Sequence, residues 1–194
     1  MVIIMMRIIT GKARGVKLDT LEGLATRPTA EKVKEAIFSA IQFEIEGRRV
    51  LDLFAGSGQL ALEALSRGAS EAVLVDASKE AAEIIRRNAV KTKLFPSTKV
   101  IVNDYKTAIK QLSGREKFDI IFCDAPYAAK LTGDAIEKVL KGGLLSDGGI
   151  MICETDEDKT YETEGFALRK HTHYGRVFVS IYEKTVNSES EILI

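Results

Sequence analysis

Apolar positions along this chain follow two periods that alternate with each other. Val33, Ala36, Ile37, Ala40 and Ile41 recur at helical spacing, predicting a helix that Thr29 can cap and that runs to about Glu44. A continuous apolar run at 50–53 then predicts a strand, broken by Ala55, Gly56, Ser57 and Gly58 before a helix resumes over 60–65. The alternation continues with a strand at 72–75, a helix at 79–91, a strand at 99–102, a helix at 105–112 and a strand at 118–123. A helix near 129–140 and a strand near 149–153 follow, and the runs 166–171 and 177–182, joined through Tyr174 and Gly175, predict an antiparallel hairpin. At the other end, short strands at 2–9 and 16–18 flank a turn at 11–15.

Apolar strands separated by helices imply an α/β fold: a Rossmann-like, mainly parallel central sheet with helices on both faces and a C-terminal antiparallel hairpin. A small N-terminal β-hairpin plus helix extends it. The expected division is an N-terminal extension over 1–46, a main domain over 47–185 and a tail over 186–194. Ligands of such sheets bind beyond the carboxyl ends of the strands, so those ends are where chemistry is sought.

Composition narrows the possibilities. The 194 residues suffice for one core, and 28 basic side chains balance 28 acidic ones, so net charge points to no polyanionic partner. The distribution is polarised, however. Residues 1–18 carry Arg7, Lys12, Arg14 and Lys17 with no acid, whereas 186–194 carry Glu189 and Glu191 with no base. The cysteines are Cys123 and Cys153, each inside an apolar run, which provides neither a disulfide framework nor a four-ligand metal site. Packing is the expected role of Cys123, and solvent exposure that of His171 and His173. The run before Arg7 is too short for a signal-peptide core and no transmembrane stretch stands out, so a cytoplasmic protein without membrane or metal partners is expected, as a monomer.

The strand ends carry the candidate chemistry. Gly56 and Gly58 allow close approach of the backbone to a ligand at a helix start. Asp76 ends the next strand, near the spacing of about 20 residues at which an acid takes ribose hydroxyls. Asn103 and Asp104 end the third, where an amide or carboxylate can hold an adenine edge. Asp76 and Asp104 can also serve as helix caps. Asp52 opposes a dinucleotide, because a carboxylate beside the glycine loop repels pyrophosphate and attracts an ammonium group. At the end of 118–123, Asp124 and the carbonyl of Ala125 offer hydrogen-bond acceptors to an exocyclic amine, Pro126 kinks the chain, and Tyr127 presents a face for stacking.

Asp52-Leu53-Phe54-Ala55-Gly56-Ser57-Gly58, Asp76, Asp104 and the tetrad 124–127 resemble the successive motifs of class I S-adenosylmethionine-dependent methyltransferases. Arg7-Ile8-Ile9-Thr10-Gly11, Arg14-Gly15, Thr26-Arg27-Pro28-Thr29, Leu62-Glu63-Ala64-Leu65-Ser66-Arg67-Gly68-Ala69 and Tyr174-Gly175 narrow the likeness to the RsmD family, which methylates the N2 of one guanosine in small-subunit (16S) ribosomal RNA. The resemblance spans about residues 7–182. It implies S-adenosylmethionine as cofactor, held by Asp52, Phe54, Ala55, Gly56, Ser57, Gly58, Asp76, Asn103 and Asp104. It implies catalysis at Asp124, Ala125, Pro126 and Tyr127, with Arg7, Lys12, Arg14, Lys17 and Arg27 on RNA phosphates. The family has a second proline in the tetrad where this chain has Ala125. The change gives up a φ restraint worth about 0.4–1 kcal/mol, although Pro126 still biases Ala125 to extended backbone.

Guanine presents adjacent N1–H and N2–H donors, which suit an acceptor-only carboxylate at 124. The tetrad also permits adenine N6 or a protein glutamine amide as the accepting amine. A noncatalytic cofactor-binding partner and a dinucleotide oxidoreductase are readings from other classes. For the basic hairpin a solvated surface is the bland reading, and for Arg27 a place at the helix entrance.

Overall fold

A computed structural model of the chain describes residues 6–20, 28–126 and 128–185. In chain order its elements are α1 (Pro28–Ala40), β1 (Arg49–Asp52), α2 (Gln59–Ser66), β2 (Glu71–Asp76), α3 (Lys79–Lys91), β3 (Thr98–Val102), α4 (Tyr105–Leu112), β4 (Phe118–Asp124), α5 (Ala128–Lys141), β5 (Leu145–Thr155), β6 (Phe166–Tyr174) and β7 (Val177–Lys184). The helices expected at 79–91 and 105–112 coincide with α3 and α4, because each has a local cap: the Ser78 hydroxyl accepts from the Ala81 amide, and Asp104 accepts from the Lys106 and Thr107 amides. Several boundaries differ from expectation: α1 begins at Pro28, which puts Thr29 inside the helix it was expected to cap, β6 runs on to Tyr174, and among the described residues the strands expected at 2–9 and 16–18 appear as a single Arg7–Lys17 bridge. The chain from 41 to 44 leaves α1 as a turn, and β5 begins at Leu145, ahead of its apolar run, across a register shift between Phe118 and Ile120.

Seven strands form one sheet in the order β3-β2-β1-β4-β5-β7-β6. β1 to β5 pair in parallel, and β7 runs antiparallel to both β5 and β6. The chain moves outward from β1 through β2 to β3 and then returns to lay β4 on the other flank of β1. This reversal opens a crevice beyond the carboxyl ends of β1 and β4, the switch point at which open α/β sheets take ligands.

Alternate residues of each central strand face opposite ways, which splits the core in two. Val50, Leu74, Ile120, Phe122, Ile150 and Ile152 face α1, α2 and α3, and Phe38 of α1 meets Phe122 with ring centroids 5.7 Å apart. Leu51, Val73, Ile121, Cys123, Met151 and Cys153 face α4 and α5. Both cysteines are buried within that layer and lie opposite each other on β4 and β5. His173 is exposed as expected, but His171 is half-buried: its ring hydrogen-bonds Ser180 and Asp158, each at 2.8 Å, and stacks on Phe178. Among the described residues no helix is long and apolar enough to cross a membrane.

The N-terminal hairpin closes through a bridge between Arg7 and Lys17 and lies along α2. Glu63, fully buried in α2, accepts from the Ile9 amide at 2.7 Å, the Thr10 amide at 3.0 Å and the Arg67 guanidinium at 2.8 Å. Buried Lys34 stands 4.0 Å from Glu63 and donates to the Arg7 carbonyl at 2.6 Å, and desolvation holds its ammonium below the usual lysine range. At the turn, Gly11 has φ of +86°, and a side chain there would begin 1.8 Å from the Ser66 carbonyl oxygen. Ser66 also accepts from the Lys12 and Ala13 amides and donates to the Thr10 carbonyl, so the turn is joined to the end of α2 by backbone and hydroxyl together.

Removing Glu63 takes the acceptor from the part-buried Ile9 and Thr10 amides and the counter-charge from buried Lys34, which keeps the Arg7 carbonyl. Glu63→Ala should destabilise the fold by about 3–5 kcal/mol, measured by urea unfolding. A loss below about 1 kcal/mol would mean that the hairpin is held mainly by its apolar contacts.

Candidate functional site

The crevice is built by the loop after β1 and the turn after β4. The Leu53 amide donates to the Phe122 carbonyl at 3.1 Å, and the Ala55 amide donates to the Val75 carbonyl at 2.9 Å, so the glycine loop is tied to both neighbouring strands. Gly58 has φ of +80°, a conformation strained for any side chain, and a Cβ there would press on the Leu74 methyl at 3.0 Å. Gly56 also has positive φ, but a Cβ there would meet nothing within 4 Å, which leaves open space above the backbone for a ligand. The turn 124–126 and the glycine bend therefore stand side by side on one rim.

Asp52 is buried at 1% exposure and accepts a long hydrogen bond, 3.4 Å, from the Phe54 amide. Burial, reinforced by the charge of Asp124, pushes its carboxyl up to about 7. Asp124 is exposed at the rim, with enough protein packed around it that desolvation pushes its carboxyl up to about 6. Ala125 is buried behind it and Pro126 is exposed. A pair of poorly compensated acids at a switch point suits a ligand that brings positive charge or hydrogen-bond donors.

Asp76 is already at work in this rim. One carboxylate oxygen accepts from the Gly56 amide at 2.9 Å and the other from the Ser78 amide at 2.8 Å, which shapes the loop and leaves further lone pairs for ribose hydroxyls. Asn103 accepts from the Asp104 amide and keeps its NH₂ group available to a base edge. Asp104 is otherwise engaged: its carboxylate takes the Lys106 and Thr107 amides and the Thr107 hydroxyl, bonds that hold it below the usual range, with the hydroxyl the strongest influence. Phe54 packs against Tyr105 with centroids 5.1 Å apart, giving the crevice an aromatic wall. Ser57 faces the N-terminal segment instead, its hydroxyl donating to the Met6 sulfur at 3.0 Å. Among the described residues no group of His, Cys, Asp and Glu side chains is placed to hold a metal ion.

Lys12, Arg14 and Lys17 are exposed and form no ion pair among the described residues. Arg7 is exposed too, but its guanidinium is taken by Glu31 of α1 at 2.8 Å. The hairpin tip sits at the far end of the eight-residue α2, about 12 Å along that helix from the glycine loop. Arg27 and Tyr127 lie outside the described residues.

Two residues in this region were not singled out by sequence reasoning. Glu154 lies directly opposite Asp124 in the β4–β5 pairing. Its signal was present, since it stands near the end of an apolar strand as Asp52, Asp76 and Asp124 do. Asn88, fully buried in α3, accepts from the Asp19 amide and donates to the carbonyls of Asp19 and Ser57 at 2.9 Å, joining the N-terminal segment to the glycine loop. An asparagine inside an amphipathic helix gives no such indication.

A family model described as Conserved hypothetical protein 95 matches residues 6–183. The Bacillus subtilis relative YlbH is 37% identical over 183 residues, covering 92% of this chain and 99% of its own. The Haemophilus influenzae protein named Ribosomal RNA small subunit methyltransferase D is 32% identical, covering 91% of this chain and 93% of its own. A solved Escherichia coli structure superposes with a TM-score of 0.84 at 28% identity over 94% of this chain and 99% of that one.

Asp52 and Asp124 predict a pH dependence of stability. Unfolded, both lose their protons near the ordinary carboxylate range; folded, they keep them to about 7 and about 6. Their contribution to stability is thus fully present below about pH 4 and is lost as pH rises through 6 and 7. The Tm of the ligand-free protein should fall between about pH 5 and pH 8, and Asp52→Asn should make that fall measurably smaller, leaving the part due to Asp124 and Glu154. A variant with the same profile as the wild type would contradict the assignment.

Proposed function

This chain belongs to the family described as Conserved hypothetical protein 95, the RsmD family, and we propose that it methylates the exocyclic N2 of a guanosine in small-subunit ribosomal RNA, using S-adenosylmethionine. The observation that carries the reading is the juxtaposition of the glycine loop and Asp52 with Asp124 and Ala125 at the β1–β4 switch point. Names of relatives that act on ribosomal RNA support the substrate class.

The residues fit this cofactor. Asp52 offers a buried negative charge to the methionine ammonium, Gly56 leaves room for close approach, Asp76 has lone pairs for ribose hydroxyls, and Asn103 with the Phe54–Tyr105 wall suits the adenine. When bound, S-adenosylmethionine supplies a methyl group from its sulfonium and leaves as a neutral thioether. Asp124 and the Ala125 carbonyl accept the two N2 hydrogens of a base extruded into the crevice. In doing so they favour the pyramidal, positively charged N2 of the transition state over the planar resting amine. The N2 nitrogen gains a carbon bond and must lose a proton, and the Asp124 carboxylate is placed to hold it. Tyr127 stacks on the base.

The N-terminal extension to about residue 46 is the RNA-contacting part of the chain in this reading. Lys12, Arg14, Lys17 and Arg27 meet phosphates flanking the target and fix register without reading sequence. Arg7 orients the hairpin through Glu31 and contributes to RNA indirectly.

Labelled S-adenosylmethionine offered to RNA, DNA and protein fractions from cells lacking this protein should label small-subunit ribosomal RNA, and hydrolysis should release N2-methylguanosine. Label in DNA or protein would assign the tetrad to another amine. Asp124→Ala should lower kcat by about 10²–10³-fold or more while cofactor affinity stays nearly unchanged. Neutralising Arg14 and Lys17 together should weaken RNA binding and reduce the slope of log K against log salt by about 2; an unchanged slope would place the hairpin away from RNA.

A further inference from the structure

β4 and β5 pair in parallel with Asp124 opposite Glu154. Aligned residues of neighbouring strands project to the same side, about 4.8 Å apart. Phe122 and Ile152, two positions earlier, are both buried in the layer facing α1 and α2, so Asp124 and Glu154 continue that face past the edge of the core. Asp52 lies opposite Phe122 and shares the face.

Neither Asp124 nor Glu154 has a hydrogen-bond or ion-pair partner among the described residues. Burial, together with the charges of Asp124 and then Asp52, holds the Glu154 carboxyl well above the usual range. Two unpartnered acids in adjacent registers repel each other, and the arrangement makes physical sense if a ligand delivers several donors at once.

We propose that Glu154 is a specificity-determining residue that accepts the N1–H of the guanine whose N2 is held by Asp124. The inference rests on the reading of this site as a guanine-N2 methyltransferase. Strand order supports the direction: the glycine loop follows β1, Asp124 ends β4, and Glu154 stands one residue before the end of β5, one strand farther from the cofactor. A base whose amine points at the cofactor then turns its N1 edge toward β5, where the extra methylene of glutamate gives reach. N1–H and the two N2 hydrogens meet three acceptors: Glu154, Asp124 and the Ala125 carbonyl. Adenine and cytosine carry a ring acceptor beside the amine, which would face the Glu154 carboxylate unpaired.

The test uses a synthetic RNA carrying the mapped target, with that guanosine either intact or replaced by 2-aminopurine riboside. The analogue keeps the amine but has an acceptor at N1. Wild-type protein should prefer guanosine by about tenfold or more in kcat/KM, the scale of one bidentate base contact. Glu154→Gln, whose amide can donate to that acceptor, should lose activity on guanosine and lower the guanosine-to-2-aminopurine ratio by about tenfold or more. Titration with S-adenosylmethionine checks that the variant still binds cofactor.

An unchanged ratio in a variant that binds cofactor overturns the role of Glu154 and leaves the proposed function standing. Wild-type protein that uses 2-aminopurine as fast as guanosine overturns it without any variant. Wild-type protein that never methylates guanosine N2 refutes instead the reading on which the inference rests.

Discussion

Parallel hydrogen bonding between β1 and β4 is the constraint on which the rest depends. Each strand alone ends in an acid followed by a tight turn, a common way to stop a strand. Their pairing, fixed by Val50 opposite Ile120 and Asp52 opposite Phe122, sets the glycine loop beside the turn at 124–126. A slip of one residue would turn Asp52 and Asp124 to opposite faces of the sheet. The apolar alternation on both faces guards against that slip, since Leu51 and Ile121 would exchange layers with Val50 and Phe122.

The same pairing concentrates negative charge where no cation among the described residues pairs with it. Ion pairs are plentiful elsewhere: Arg49 meets both Glu71 and Glu116 at the opposite end of the sheet, and Asp134 meets Lys138. At the crevice, burial raises the affinity of Asp52, Asp124 and Glu154 for protons, and the charge of Asp124 adds to the effect at Asp52 and Glu154. Such clustering opposes folding at neutral pH and favours a ligand rich in donors or positive charge. Functional sites commonly hold local destabilisation that the surrounding core offsets.

The basic hairpin is part of the same body as the crevice. Glu63 and Ser66 bind its turn to one end of α2, while Met6 and Asn88 bind its two ends to Ser57 at the other. A phosphate held at Arg14 or Lys17 is therefore held at a set distance from the glycine loop, and binding energy gained on the hairpin can position the reacting base.

Most of the architecture was legible in the chain, because helix and strand periods and local caps are written within a dozen residues. The start of α4 followed from Asp104, whereas α3 is capped by Ser78 where Asp76 was the expected cap, and the acids closing successive strands marked where chemistry would gather. What stayed hidden was each charge's partner. Arg7 turns to Glu31, His171 is enclosed by Ser180 and Asp158, and Glu154 comes to stand beside Asp124. Sequence alone determined the elements and the acids at strand ends, since both depend on near neighbours. Tertiary structure alone decided which strand ends meet and which side chains remain free, because those outcomes depend on crossovers and registers that join residues tens of positions apart.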